Sequence, residues 1–242
     1  MSKKTALLRR EVEEINLEES FNNNWLLNFN IRKPFYFNKL HKEFYHKCRH
    51  KNTNMVFVDG PAGSMKTYIA VYSALEQLRD GIFDKVIYIR SIAESAERSL
   101  GSLPGEIESK FSPYTMPLLE KVTEITNAST AHMLIHKGLV EAVPVNFVRG
   151  LTFNKSLVIV DEAQNLSKGE LTTILTRFGR NTRYIICGDG NQSDIKASGF
   201  DNVLERFDNQ ESVDNNIHAF EFGETEIVRS KILRYICRAL GA

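Results

Sequence analysis

Cysteine is scarce in this chain. Cys48, Cys187 and Cys237 are the three in 242 residues, widely spaced and odd in number. That excludes a disulfide framework and a zinc ribbon, and it fits a reducing, cytoplasmic setting. Long apolar runs are also missing: nothing approaches the ~18 uncharged apolar residues that a membrane span needs. The opening ten residues, Met1 to Arg10, are basic but lack the apolar core of a secretory signal. Charge of one sign is not in excess either. A formal net charge of +1 gives no overall nucleic-acid signature, so any basic surface has to be local. There is no internal repeat and no low-complexity tract beyond Asn22-Asn23-Asn24.

What is present is ordinary for a folded domain: 42% hydrophobic and 25% charged residues. The length suits one α/β domain with short additions. We expect an N-terminal arm over residues 1–33, polar and rich in acids (Glu11, Glu13, Glu14, Glu18, Glu19), and a domain over 34–242. Strands are expected at 55–59, 85–90, 143–148, 157–161, 183–188 and 216–222. Helices are expected at about 35–51, 66–79, 115–126, 128–137, 167–178, 199–207 and 224–239. Several strands are unbroken Val/Ile/Phe runs, the mark of burial on both faces and hence of a parallel sheet. Strand and helix alternate, which gives α/β architecture with a doubly wound, mainly parallel sheet and helical covers. Ligands then bind at the carboxyl ends of the strands.

Three motifs fall on that edge. In the first, Met55-Val56-Phe57-Val58-Asp59 runs into Gly60-Pro61-Ala62-Gly63-Ser64-Met65-Lys66-Thr67 and then a helix. This is the strand–loop–helix setting of a phosphate-binding loop, whose backbone N–H groups and helix N-terminus favour phosphate oxygens. Lys66 would reach the β- and γ-phosphates, and the Thr67 hydroxyl would ligate Mg²⁺. Met65 stands where the pattern G-x-x-x-x-G-K-[ST] has its second glycine. Either its side chain is tolerated there or phosphate binding is impaired.

The second motif is Ser156-Leu157-Val158-Ile159-Val160-Asp161-Glu162, a buried strand ending in two acids. Asp161 would hold Mg²⁺, and Glu162 would orient or deprotonate an attacking water. The plainer alternative is that both acids favour the start of a helix beginning near Leu166. The third is Tyr184-Ile185-Ile186-Cys187-Gly188-Asp189-Gly190-Asn191-Gln192. The Gln192 amide, which both donates and accepts, could sense a γ-phosphate or a water. The alternative there is an Asx-rich turn chosen for geometry.

On these residues, together with Leu100-Gly101-Ser102-Leu103-Pro104-Gly105, Pro113-Tyr114, Arg149-Gly150, Asp161-Glu162-Ala163-Gln164-Asn165 and Val228-Arg229, the chain resembles the PhoH-like P-loop ATPases. The resemblance runs from about residue 34 to the end. It implies a RecA-like core that hydrolyses ATP with Mg²⁺, a homo-oligomer such as a hexameric ring, and RNA or single-stranded DNA as partner. It implies helicase-like coupling rather than any role at a membrane. The small size and Asn-rich start suggest a phage-encoded version. An arginine supplied in trans would stabilise the transition state; Arg229 is favoured by its motif position, with Arg149, Arg177 and Arg180 as other candidates. Arg90 could instead meet substrate or phosphate. The family often reads adenine through an upstream Gln, where this chain offers only Asn38.

Other readings stay open: a nucleoside-type phosphotransferase, an ATP-binding switch or scaffold with little turnover, and a guanine-binding use of Asn191-Gln192-Ser193-Asp194. The aromatic and basic stretch 35–51 either stacks on nucleic acid or packs its aromatics inward as a helical cover. His41, His46, Cys48 and His50 fit no usual zinc spacing, and His132 and His136 lack the Glu of a zinc hydrolase. Cys187, in a buried strand, reads as an inert core residue.

Overall fold

The computed structural model describes residues 28–34, 38–91, 107–195, 198–228 and 230–240, with side chains from Thr115 onward in the helix that begins at Ile107. Among these, six strands form one sheet: β1 (Met55–Asp59), β2 (Lys85–Arg90), β3 (Val140–Pro144), β4 (Ser156–Asp161), β5 (Arg183–Gly188) and β6 (Ile217–Glu221). Their order is β3-β2-β4-β5-β1-β6, and every pairing is parallel. The helices are α1 (Lys39–Arg49), α2 (Lys66–Arg79), α3 (Ile107–Ile125), α4 (Ala128–His136), α5 (Lys168–Leu175), α6 (Phe200–Phe207), α7 (Gln210–Asp214) and α8 (Lys231–Leu240).

Alternation along each strand divides two cores. Val56 and Val58, Val86 and Tyr88, Leu157 and Ile159 face a cluster with α1 to α4. Phe57, Ile87, Ile89, Val158 and Val160 face a second cluster with Leu171, Ile174 and Phe200. A sheet buried on both faces explains why the strands read as continuous apolar runs, and the doubly wound α/β expectation holds. Helix α2 is buried almost all round, from Ile69 to Leu78, because the sheet lies on one side and α1 and α3 pack on it as well. α3 sets Leu118, Val122 and Ile125 inward, the spacing of a single helical stripe.

Local chemistry starts the helices. Asn38 caps α1 in a reciprocal box with His41, and Ser167 caps α5 in another with Glu170. His41, Phe44 and Cys48 form the buried face of α1, so its aromatics do pack inward as a cover. Residues 35–37 of the expected helix lie outside the described residues. Phe29 is buried in the first core and the Arg32 N–H donates to the Ile125 carbonyl, so residues 29–32 pack on the domain.

Two expectations need correction. The strand expected at 143–148 is β3 at Val140–Pro144, followed by a 3-10 turn at Val145–Phe147. Its pairing with β2 ends at Pro144, level with Arg90, and proline has no N–H to extend a ladder. The helix expected at 224–239 is interrupted. A 3-10 turn at Glu224–Glu226 is followed by Ile227 in an extended conformation, and α8 starts only at Lys231. The reason is long-range: the Val228 N–H donates to the Gly63 carbonyl at 3.3 Å instead of to its own helix. Smaller shifts occur at α3, which begins at Ile107 rather than 115, and at α5, which ends at Leu175 rather than 178. Beyond that end, the Arg177 carbonyl accepts from Phe153 N–H. Helix α7 was not anticipated.

Candidate active site

The carboxyl ends of β1, β2, β4 and β5 open onto a cleft of about 420 Å³. Lys66, Thr67, Tyr88, Arg90, Asp161, Glu162, Asp189 and Gln192 all line it. The three motifs therefore meet in one place.

The phosphate-loop glycines have separate reasons. A Cβ on Gly60 would sit 2.6 Å from the Phe222 Cβ, so close approach of the segment after β6 requires glycine there. Gly63 has φ 79, and Met65 has φ 66, ψ 12. The left-handed backbone at Met65 is what a second glycine would adopt freely, and a side chain there costs roughly 1–2 kcal/mol. Met65 packs against the first core, which offsets part of that cost. The Lys66 ammonium donates to the carbonyls of Gly60 and Pro61, the latter at 2.9 Å. Ser64 is buried, its hydroxyl bonded to the Pro61 carbonyl at 2.7 Å.

Behind the loop stands a clasp. His41 Nε2 lies 3.0 Å from the Ser64 carbonyl, and Phe222 N–H donates to the Asp59 carbonyl at 2.8 Å. Asn38 is engaged here: its Oδ1 caps α1, and its Nδ2 donates to Glu226 Oε1 at 2.7 Å. It is not among the residues that line the cleft. Burial pushes the His41 imidazole below its usual range, against the opposing pull of the Ser64 carbonyl and Glu226. Burial acts to raise Glu226, but donors from Gly223, Thr225 and Asn38 outweigh it and hold the carboxyl low.

Asp161 is buried, with both oxygens engaged. Thr67 Oγ1 donates to Oδ1 at 2.7 Å, and the Tyr88 hydroxyl donates to Oδ2. Burial first, then the Asp161 charge, drives the Tyr88 phenol far up, so it remains a donor. Thr67 and Asp161 thus present hard oxygen donors at the floor of the cleft, a set that suits Mg²⁺, which takes few protein ligands and keeps its waters. Among the described residues no cluster of three or more His, Cys, Asp or Glu could hold a metal.

Glu162 follows at φ 52, an uncommon backbone for a side chain and one that concentrates at functional sites. Its Oε1 lies 3.6 Å from Arg90 Nη2, and its Oε2 accepts from Gln164 Nε2 at 2.6 Å. The helix-start alternative for the two acids does not describe them. Glu162 precedes the 3-10 turn Ala163–Asn165 without a side-chain capping bond, the next α-helix is capped by Ser167, and both acids line the cleft. Burial opposes the Arg90 charge, yet Tyr88, Asp161 and Glu162 together hold it more firmly than usual.

Beyond β5, burial raises Asp189, with Asp59 and Glu162 adding to the rise and Lys66 and the Asn191 N–H opposing it. Its Oδ2 is buried without a hydrogen-bond partner. The exposed Gln192 reaches the rim, with its N–H on the Asp189 carbonyl at 3.0 Å. Cys187 is buried and its thiol is driven well up by burial, as an inert core residue should be.

The arginine candidates separate. Arg229 lies outside the described residues. Arg149 is exposed, just past the end of β3. Arg177 and Arg180 bond through their carbonyls to Phe153 and Lys155, before β4, and so sit at the edge of the sheet opposite the cleft. Tyr88 and Gln164 were not singled out for any role from the sequence. Only the strand ends that bring them to Asp161 and Glu162 reveal them.

A profile of the PhoH-like protein family matches residues 38–241. A PhoH-like protein of Bacillus subtilis (strain 168) is 34% identical over 189 residues, covering 78% of this chain and 59% of its own length. Protein PhoH of Escherichia coli (strain K12) is 35% identical over 187 residues, 75% of this chain and 51% of its own. The chain therefore spans about half the length of the curated relatives it matches. Among solved structures, Pif1 helicase from Candida albicans superposes with a TM-score of 0.41 at 15% identity, over 84% of this chain and 43% of that one. Among the described residues no helix is long and apolar enough to cross a membrane. The family profile spans most of the chain and its motifs converge on one cleft: the chain belongs to the PhoH-like protein family.

Proposed function

We propose that the chain binds ATP with Mg²⁺ and hydrolyses it. The observation that carries this reading is the meeting of Lys66, the Thr67–Asp161 hydrogen bond and Glu162 in one cleft at the carboxyl edge of the sheet. Residues 60–67 would wrap the phosphates, their N–H groups and the N-terminus of α2 facing the negative charge. Lys66 would exchange the Gly60 and Pro61 carbonyls for β- and γ-phosphate oxygens. Thr67 and Asp161 would hold Mg²⁺, which when bound draws charge from the β- and γ-oxygens.

Glu162 would accept a proton from the attacking water, and Gln192 would report the γ-phosphate from the rim. Water is the acceptor, so the products are ADP and phosphate. A phosphotransferase would instead need a second acceptor site and a covering lid. The Met65 backbone already has the glycine-like conformation, so the loop has the shape that a second glycine would give it.

The finer reading extends to a homo-oligomer with an arginine, Arg229 or Arg149, supplied by a neighbouring subunit. RNA or single-stranded DNA would be the remodelled partner in the cytoplasm. It rests on family membership and motif positions. The test is ATP turnover by the purified chain with and without single-stranded RNA or DNA, beside Lys66→Ala. Turnover abolished by Lys66→Ala and raised by nucleic acid is expected. Turnover that survives Lys66→Ala would overturn the phosphate-loop assignment. A rate indifferent to both nucleic acids would remove the partner and leave the ATPase.

A further inference from the structure

Gln164 occupies the 3-10 turn that follows Glu162 and is buried. Its two ends are used differently. Oε1 accepts the Asp189 N–H at 3.0 Å, and Nε2 donates to Glu162 Oε2 at 2.6 Å. A backbone N–H can only donate and a carboxylate can only accept, so this arrangement admits one orientation of the amide. The side chain is therefore a rigid spacer between the carboxylate of Glu162 and the turn that bears Gln192.

Further bonds tie the same two segments. Ser193 Oγ lies 3.1 Å from the Gln164 carbonyl and 2.9 Å from that of Ile195, so its one proton serves either. Asn165 exchanges two bonds with Asp194, Nδ2 to Oδ2 at 2.9 Å and Asp194 N–H to Oδ1 at 2.8 Å. Loop 189–194 and turn 163–165 are thus tied by side-chain bonds from Gln164 and Asn165. Glu162 itself has two held oxygens, one on Gln164 and one facing Arg90 at 3.6 Å. With its backbone at φ 52, its carboxylate direction depends on those side-chain partners.

We infer that Gln164 is a positioning residue that ties the Gln192 turn to Glu162 and so fixes the direction in which the base meets water. The inference rests on the hydrolytic reading given above. It assigns Gln164 no contact with the nucleotide. A misplacement of about 1 Å in a reacting group costs on the order of 100-fold in rate, which sets the scale of the effect.

Two variants test it. Gln164→Glu keeps an acceptor for Asp189 N–H but sets a carboxylate where the donor to Glu162 was. Gln164→Met removes both bonds at similar volume. We expect kcat to fall on the order of 10- to 100-fold in each, with the Kd for a fluorescent ATP analogue within about twofold of wild type. If Gln164→Glu fails to fold, Gln164→Met carries the test through its kcat-against-Kd split. Wild-type kcat in both variants, affinity lost in step with melting temperature, or unfolding of both would overturn the inference and make Gln164 a packing residue. Glu162→Gln, run alongside, separates the two levels. If it keeps full turnover, the hydrolytic reading itself fails. If it stops turnover while the Gln164 variants do not, only the link fails.

Discussion

Replacing Met65 by glycine should change little, and replacing it by valine should change much. Met65 sits at φ 66, ψ 12 at the N-cap of α2 and packs against the first core. Glycine relieves a left-handed strain of roughly 1–2 kcal/mol. Against that stand the entropy of a freer unfolded chain, about 0.4–1 kcal/mol, and the contacts of a half-buried methionine, about 1 kcal/mol. These terms nearly cancel. For a chain of this size each kcal/mol moves the melting temperature by about 2–4 °C, so Met65→Gly should melt within about 4 °C of wild type. Its turnover should stay within about twofold, because the loop N–H groups keep their directions. Valine is a genuine outlier at such a φ and loses the methionine contacts as well. Met65→Val should lose about 2 kcal/mol, melt about 4–8 °C lower, and bind MgATP more weakly. Thermal unfolding and steady-state hydrolysis read both variants. A tenfold gain in turnover for Met65→Gly would show the methionine to be a brake, and wild-type stability for Met65→Val would refute the strain argument.

Two further outcomes concern buried groups outside the cleft. His41 is held below its usual range by burial, so the folded protein binds fewer protons than the unfolded chain; stability should fall as pH drops from 7 towards 5.5. Glu226, held low, keeps its contribution across that window and loses it only at more acid pH. His218, also lowered by burial, contributes in the same direction as His41, so His41→Gln should flatten the slope without abolishing it; melting curves between pH 5.5 and 7.5 with an unchanged slope would contradict this. Arg183 is buried at the start of β5 and donates to the carbonyls of Cys48, His50 and Thr53. Arg183→Met strands the Thr53 carbonyl and Gln77 Oε1 at about 1–3 kcal/mol each, while the Cys48 and His50 carbonyls keep Gln77 Nε2 and Thr53 N–H as donors. Urea unfolding should show a loss of about 2 kcal/mol or more, and a loss under about 1 kcal/mol would show that the stranded acceptors find other donors.

The parts that were legible in sequence are those written in local patterns. β1, α2, β2 and β5 stand where their apolar runs placed them, because a strand buried on both faces leaves an unbroken signature. Residues 60–67 and Asp161-Glu162 stood out because fixed residue types at fixed spacing make a motif, and the fold brings residues of both to one cleft. The errors arise where distant contacts decide. Residues 224–228 have a helical composition, but Val228 N–H is committed to Gly63, across more than 160 residues of chain. The run Val143 to Val148 reads as strand until Pro144 ends the pairing with β2. Tyr88 lies inside an apolar strand and looks like core; its hydroxyl becomes part of the site only because β4 lies beside β2. Arg183 gave no signal at all, since a buried cation satisfied by backbone carbonyls leaves no motif.

The central claim is that Glu162 acts on water while Lys66, Thr67 and Asp161 hold the nucleotide. The most direct measurement is the single-turnover hydrolysis rate of Glu162→Gln together with its affinity for MgATP. The account predicts affinity close to wild type and a rate lower by at least about 100-fold, the usual scale for loss of a general base. A variant that binds MgATP poorly yet hydrolyses what it binds at the wild-type rate would contradict it.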